Sequence, residues 1–198
     1  MTTRRAIPQQ VARRFVLGRQ GLWPGRRWEG VGGTEQAMRA VENLQLDPLN
    51  ITARSQDLML HARVAGYQPE GWQALAYGER RFFDWGGWLA VRPMEELPYF
   101  RSYMREAARH PELVSWAETH AGVLDEMRAV LRERGPVSNR DFETKERARV
   151  SSYRGRKDSA VALYHLWRVG EAMISGRERF ERSYDLTERI APAELVRE

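Results

Sequence analysis

The sequence predicts a mainly α-helical protein with small β-hairpins. Three observations carry this reading. Apolar residues recur three and four apart over much of the chain, the spacing of one helix face. Gly and Pro residues punctuate those runs. A strand-like stretch with glycine in its turn falls at residues 172–186. The 198 residues suffice for one large domain or two small ones. Hydrophobic residues at 42% and charged residues at 30% match ordinary globular proteins and exclude a disordered chain.

The elements follow in order. Ile7, Val11 and Phe15 line one face of a helix over residues 7–17, with Pro8 in its first turn. Gly18 to Gly33 reads as a long Gly/Trp/Pro-rich loop. Thr34 is positioned to cap a helix whose inward stripe is Ala37, Val41 and Leu44. Pro48 disfavours helix at Asp47, so Gln45-Leu46-Asp47 is expected to be extended. In that geometry the Gln45 and Asp47 side chains share a face while Leu46 anchors inward. A helix is expected from Gln56 to Ala65, with Leu58 and Met59 partly buried, then an aromatic stretch from Tyr67 to Trp88. Pro93 and Pro98 lead into a helix over Tyr99–Ala108.

Trp116 to Arg134 reads as one amphipathic helix with Val123, Met127, Val130 and Leu131 inward, stopped by Gly135-Pro136. Ser138 starts another helix, with Asp141 as its capping-box partner. Ser159–Val169 carries Leu163, Leu166 and Trp167 on an apolar face and ends at Gly170. The hairpin follows, its second strand alternating Phe180 and Tyr184 with charged neighbours. Helix, turn, helix, basic helix and hairpin is the element order of a winged helix-turn-helix. Such modules bind nucleic acid or serve protein interactions.

The net charge is +5, unevenly distributed. Residues 1–33 hold Arg4, Arg5, Arg13, Arg14, Arg19, Arg26 and Arg27 against one acid, Glu29. A second basic island spans residues 147–157, with Arg147, Arg149, Arg154, Arg156 and Lys157 and no acid. The plain reading is a solvated surface. The sharper one is two contact points for a polyanion, arginine being suited to phosphate.

Several chemistries are excluded. Without cysteine there is no disulfide, thiolate nucleophile, iron–sulfur cluster or cysteine-type zinc site. No phosphate-binding glycine loop or nucleophile-elbow pattern occurs. His61, His110, His120 and His165 show no ligand spacing and read as surface or packing residues. No apolar run reaches the roughly 18 residues of a membrane-spanning helix. The Arg-rich N-terminus lacks the apolar core of a secretory signal, so a cytoplasmic, nucleoid-associated location is expected. Trp72, Tyr77, Phe82, Phe83, Trp85 and Trp88 fit core packing better than base stacking. The exception is Gln45-Leu46-Asp47-Pro48: an amide and a carboxylate on a short extended segment can hold one water, or Asp47 simply caps the next turn.

The run from Val41 to Arg63, VENLQLDPLNITARSQDLMLHAR, resembles the signature of the AlkZ/YcaQ-type crosslink-repair DNA glycosylases, a winged-helix family. Their hallmark, Gln-hydrophobic-Gln or Gln-hydrophobic-Asp, is matched by Gln45 and Asp47. The likeness continues through Phe82-Phe83-Asp84-Trp85 and Pro93. It resumes from Glu133 to Pro192, where GPVSNRDF and RFERSYDLTERIAP are similar to the family's second winged helix and wing. Two departures stand out. Gly86-Gly87-Trp88-Leu89-Ala90 replaces a His-Glu-Ala-like stretch, and a third winged helix and C-terminal β-rich domain are expected to be absent.

The resemblance implies a tandem winged helix-turn-helix, with residues 1–110 carrying the Gln-x-Asp motif and residues 111–198 forming the second unit with its wing. It implies hydrolysis of the N-glycosidic bond of N7-alkylated purines, interstrand crosslinks included. Such a base is cationic and already a good leaving group. Asp47 would stabilise the oxocarbenium-like sugar and take the proton of a water that Gln45 orients, with no metal or organic cofactor. A monomer acting on double-stranded DNA is expected, held by Arg4, Arg5, Arg13, Arg14, Arg54, Arg154, Arg156, Lys157, Arg177 and Arg179. The pair would reach the deoxyribose from a groove with the base left in the helix. The alternatives are a non-catalytic winged-helix DNA-binding regulator and a protein-interaction scaffold.

Overall fold

The structure, a computed structural model, describes residues 6–86, 89–142 and 158–197, and the backbone of residues 147–148 and 156–157. Helix α1 spans Gln9–Arg19. Its apolar stripe faces solvent: Val11 is 54% and Phe15 68% exposed. The loop after it is shorter than the sequence suggests. Strand β1 (Trp28–Glu29) and helix α2 (Gly30–Val41) occupy its second half. Two of the glycines that mimic a loop, Gly21 and Gly33, lie against Trp28. Gly21, at φ 70°, leaves no room for a Cβ beside the Trp28 ring. A Cβ at Gly33 would lie 3.0 Å from the Trp28 backbone. Thr34 therefore sits inside α2, not at its cap, and its Oγ1 donates to the Gly30 carbonyl at 3.0 Å.

Glu42, at φ 59°, ends α2, so Leu44 joins strand β2 (Leu44–Gln45) rather than the helix. Helix α3 covers only Ser55–His61, because Val64–Ala65 forms strand β3, parallel to β1. Its buried residues are Gln56, Asp57 and Leu60, whereas Leu58 is half-exposed. Helix α4 (Gly71–Gln73) runs into a π-turn over Ala74–Gly78. Strands β4 (Phe82–Asp84) and β5 (Ala90–Pro93) follow, and the antiparallel sheet has the order β2-β5-β4.

A 3-10 turn, Met94–Glu96, leads to α5 (Leu97–Ala108). The single helix expected over 116–134 is two, α6 (Pro111–Thr119) and α7 (Ala121–Arg134). The break is at His120, whose ring stacks on Trp116 at 4.5 Å and whose Nδ1 lies 3.0 Å from the Trp116 carbonyl. Leu124, Met127 and Leu131 form the buried face of α7, flanked by partly buried Val123 and Val130. Strand β6 (Val137–Ser138) precedes the Ser138/Asp141 capping box, which opens a 3-10 turn, Asn139–Asp141. Strands β7 (Arg147–Ala148) and β8 (Arg156–Lys157) pair just before α8 (Asp158–Arg168). Then come β9 (Ala172–Glu178), β10 (Glu181–Leu186), α9 (Thr187–Ile190) and α10 (Ala193–Val196). The hairpin turn is Arg179-Phe180, both at positive φ; Gly176 lies within β9, opposite Ser183 at a bulge.

The same order of elements occurs twice. Helix α2, strand β2, helices α3 and α4, and hairpin β4–β5 form one set. Helix α7, strand β6, a 3-10 turn, helix α8 and hairpin β9–β10 form the other, with sheet order β6-β10-β9. In both sheets the last strand is central. Two cores accompany them, one around Met38, Leu60 and Trp72, the other around Leu97, Leu131 and Trp167. Hairpin β4–β5 serves both. Phe82 and Val91 enter the first core and Phe83 the second, since neighbouring strand residues point to opposite faces. Among the described residues no helix is long and apolar enough to cross a membrane.

Candidate active site

The segment around β2 alternates as its sequence requires. Leu44 and Leu46 are buried, Gln45 is exposed and Asp47 is half-buried. Gln45 pairs with Ala90, and the Leu46 N–H donates to the Leu89 carbonyl at 2.5 Å. The Asp47 Oδ1 accepts from the Leu49 N–H at 2.9 Å, so Asp47 does shape the following turn. A carboxylate has four acceptor positions, and one such bond leaves capacity for a water.

Gln56 is the residue that sequence reasoning missed. It is fully buried, and its Oε1 accepts the Asp47 backbone N–H at 3.0 Å. Its Nε2 finds no hydrogen-bond partner among the described residues. A lone glutamine near the start of a short helix gives no sequence signal for this role. Its neighbour Asp57, also buried, accepts from the Tyr67 hydroxyl at 2.6 Å and the Glu70 N–H at 2.8 Å. Burial first, and then Asp57, push the Tyr67 pKa up. The start of α3 thus pins two loops, one of them the Gln45/Asp47 segment.

The expected phosphate contacts fare unevenly. Arg13 and Arg14 are exposed on α1, Arg14 lying over the Trp23 ring at 5.2 Å. Arg4, Arg5 and Arg154, with Trp88 of the aromatic group, lie outside the described residues. Arg156 and Lys157 form β8 at the start of α8. Arg54 pairs with Glu70 at 2.7 Å and lies over Phe180 at 5.4 Å. Arg179 is exposed at the hairpin tip.

Arg177 is a correction: it is an internal ion. Its side chain is 3% exposed and that of its partner Asp84 0%. Nε donates to Asp84 Oδ2 at 2.8 Å, and Nη2 lies 2.8 Å from the same oxygen without hydrogen-bond alignment, a purely ionic contact. The Tyr77 hydroxyl donates to that oxygen at 2.9 Å. Burial and then the Asp84 charge hold the Tyr77 pKa well above its ordinary value. The reason is the turn: Phe180, at φ 70°, directs its ring to the Arg54 and Arg177 guanidinium groups and against the first core. The hairpin tip is docked on the first set of elements. Trp72, Phe82, Phe83 and Trp85 are core residues. Among the described residues no group of three or more His, Asp or Glu could hold a metal ion.

A mainly helical protein with two small three-stranded sheets, presenting an amide and a carboxylate from a sheet edge, is the class that fold and site define. Residues 38–198 match the family model described as DNA glycosylase AlkZ-like. The chain belongs to that family, whose activity is that of DNA glycosylases, hydrolases of DNA repair. No solved structure matches the chain.

Proposed function

We propose that the protein hydrolyses the N-glycosidic bond of N7-alkylated purines in duplex DNA, interstrand crosslinks included, and that Gln45 and Asp47 carry the reaction. The observation that supports this best is their placement. Both side chains rise from a sheet edge anchored by buried Leu44 and Leu46, and neither lies beneath the aromatic core. Gln45 orients a water; Asp47 takes its proton and stabilises the positive charge developing on the sugar. A cationic N7-alkyl base departs without being protonated, so neither residue has to act as an acid. The base stays largely in the helix. The repeated element order and sheet order support a tandem winged helix-turn-helix of residues 1–110 and 111–198, joined along hairpin β4–β5 instead of a linker. The protein acts as a monomer in the cytoplasm at the nucleoid, without a cofactor.

One observation favours a non-catalytic DNA-binding role: Asp47 already serves its own turn. Single-turnover release of N7-methylguanine from a methylated duplex separates the two. Asp47→Asn should retain duplex binding and lose at least about a hundredfold in rate, the scale of one positioned acid–base group. A wild-type rate in that variant overturns the assignment, as does efficient release of a neutral base such as uracil.

A further inference from the structure

Gln45 faces Ala90 across the ladder, and Arg92, two residues on, shares that sheet face with it. Such diagonal neighbours lie about 7–8 Å apart. Arg92 lines a cavity of about 670 Å³ together with Trp85, Phe100, Tyr103, Glu106 and Arg168. That size falls within the roughly 300–1,000 Å³ of small-ligand sites.

The walls are aromatic and the charges are mainly positive. Arg92 is buried; its Nη1 donates to the Trp85 carbonyl at 2.8 Å, and its guanidinium lies over Phe100 at 4.7 Å. Among the described residues no carboxylate forms an ion pair with it. Arg168 lies over the Trp85 ring at 5.6 Å. Glu96 and Asp84 act on the Arg92 charge only through space, so an anion entering the cavity would give this buried cation the direct partner it has from neither acid. Glu106 adds a carboxylate, an acceptor for the N–H donors of a base edge, and Tyr103 is more than half-exposed.

We infer that this cavity binds a nucleotide, with its phosphate on Arg92 and Arg168 and its base against the aromatic wall. Guanidinium groups match phosphate oxygens, and base stacking on aromatic side chains tolerates any base. A free nucleotide and an unstacked nucleotide of a bound strand offer the same chemistry. The place of Arg92 on the same sheet face as Gln45 fits a nucleotide near the damaged one, displaced when the duplex is distorted. That assignment rests on the function proposed above for its location; the binding chemistry stands without it.

The full chain would be titrated by fluorescence anisotropy with a blunt duplex and with the same duplex carrying a three-nucleotide single-stranded overhang, and by calorimetry with dGMP. The expected result is tighter binding of the overhang than of the blunt duplex. Arg168→Glu and Tyr103→Ala, shown to be folded by thermal unfolding, should each weaken overhang binding by about tenfold, the scale of one charge-assisted contact for Arg168 and of one base stacked on an aromatic ring for Tyr103. Blunt-duplex affinity should fall less. Saturable dGMP binding that disappears in the same variants also supports the site and assigns it a free nucleotide. Unchanged overhang and dGMP binding in both variants overturns the inference. Excision of N7-methylguanine is read in parallel: a wild type that binds as expected but excises nothing refutes the proposed reaction alone, and the converse refutes the pocket alone.

Discussion

The Asp84–Arg177 pair is the point at which the two sets of elements can be separated experimentally. Both side chains are essentially inaccessible, and two contacts of 2.8 Å and the Tyr77 hydroxyl at 2.9 Å converge on one oxygen. Asp84→Asn keeps the shape and removes the charge, leaving the Arg177 guanidinium buried and uncompensated. Breaking one partner of such a pair costs about 3–5 kcal/mol. Against a typical total stability of roughly 5–15 kcal/mol, that is about a fifth of the fold or more. The double variant Asp84→Leu with Arg177→Met removes both charges and the desolvation they require, and should come within about 1–2 kcal/mol of wild type. Urea unfolding followed by tryptophan fluorescence, with the slope checked for two-state behaviour, measures both. A loss below about 1 kcal/mol in Asp84→Asn, or a double variant as unstable as the summed single variants, would refute the view of a buried ionic staple.

Other outcomes follow from single features. Replacing Arg154, Arg156 and Lys157 with Ala should flatten the dependence of log Kd on log salt by up to about 0.9 for each phosphate no longer neutralised, equally on damaged and undamaged duplex. An unchanged slope places that island away from DNA. Gln56→Leu should slow single-turnover excision by about tenfold or more while duplex affinity holds, because it frees the Asp47 backbone. Equal rates for Gln56→Leu and wild type would reduce Gln56 to packing. His165, packed near Trp116 with Glu171 and Arg128 in reach, has its pKa lowered by burial, so the folded state favours the neutral ring. Its contribution is complete above the unfolded value of about 6.5 and lost as the pH falls below it. The drop in Tm between pH 7 and pH 5 should therefore shrink in His165→Phe, and an identical drop in both proteins would exclude the histidine as its source.

What was legible in the sequence is what short-range physics decides. The helices over 97–108, 121–134 and 158–168 and the alternation around Gln45 follow from periodicity and from the Gly and Pro stops. The failures involve contacts that a periodicity does not encode, some of them between residues far apart in the chain. Thr34 reads as a cap until Trp28 is seen packed on Gly33. Val64 and Ala65 continue a helical pattern, yet a parallel ladder with Trp28 and Glu29 draws them out. Arg177 looks like a surface cation in a hairpin; only the approach of Asp84, ninety-three positions earlier, buries it. Gln45 and Asp47 stand out by pattern and resemblance, whereas Gln56, which holds the Asp47 backbone, depends on a bond that only the folded chain forms.

The edge position of the pair reconciles two opposed needs. On the function proposed here, a group that meets a sugar inside an intact groove has to protrude, yet productive geometry tolerates displacements of only about 0.5 Å. A loop tip meets the first need and fails the second. Strand β2 meets both with few residues. Leu44 and Leu46 lock its inner face, the bond from Leu46 to Leu89 fixes one edge, and Gln56 holds the backbone of Asp47 from beneath. Protruding strand edges normally invite another strand to pair. Here the strand is two residues long and Pro48, which has no N–H to offer, follows directly after Asp47, so the edge cannot be extended. The same proline that forces Asp47 out of the helical region leaves this edge without a further N–H donor, which suits the duplex contact proposed for it. Rigidity beneath and exposure above are thus obtained from five consecutive residues, Leu44 to Pro48, and one buried glutamine.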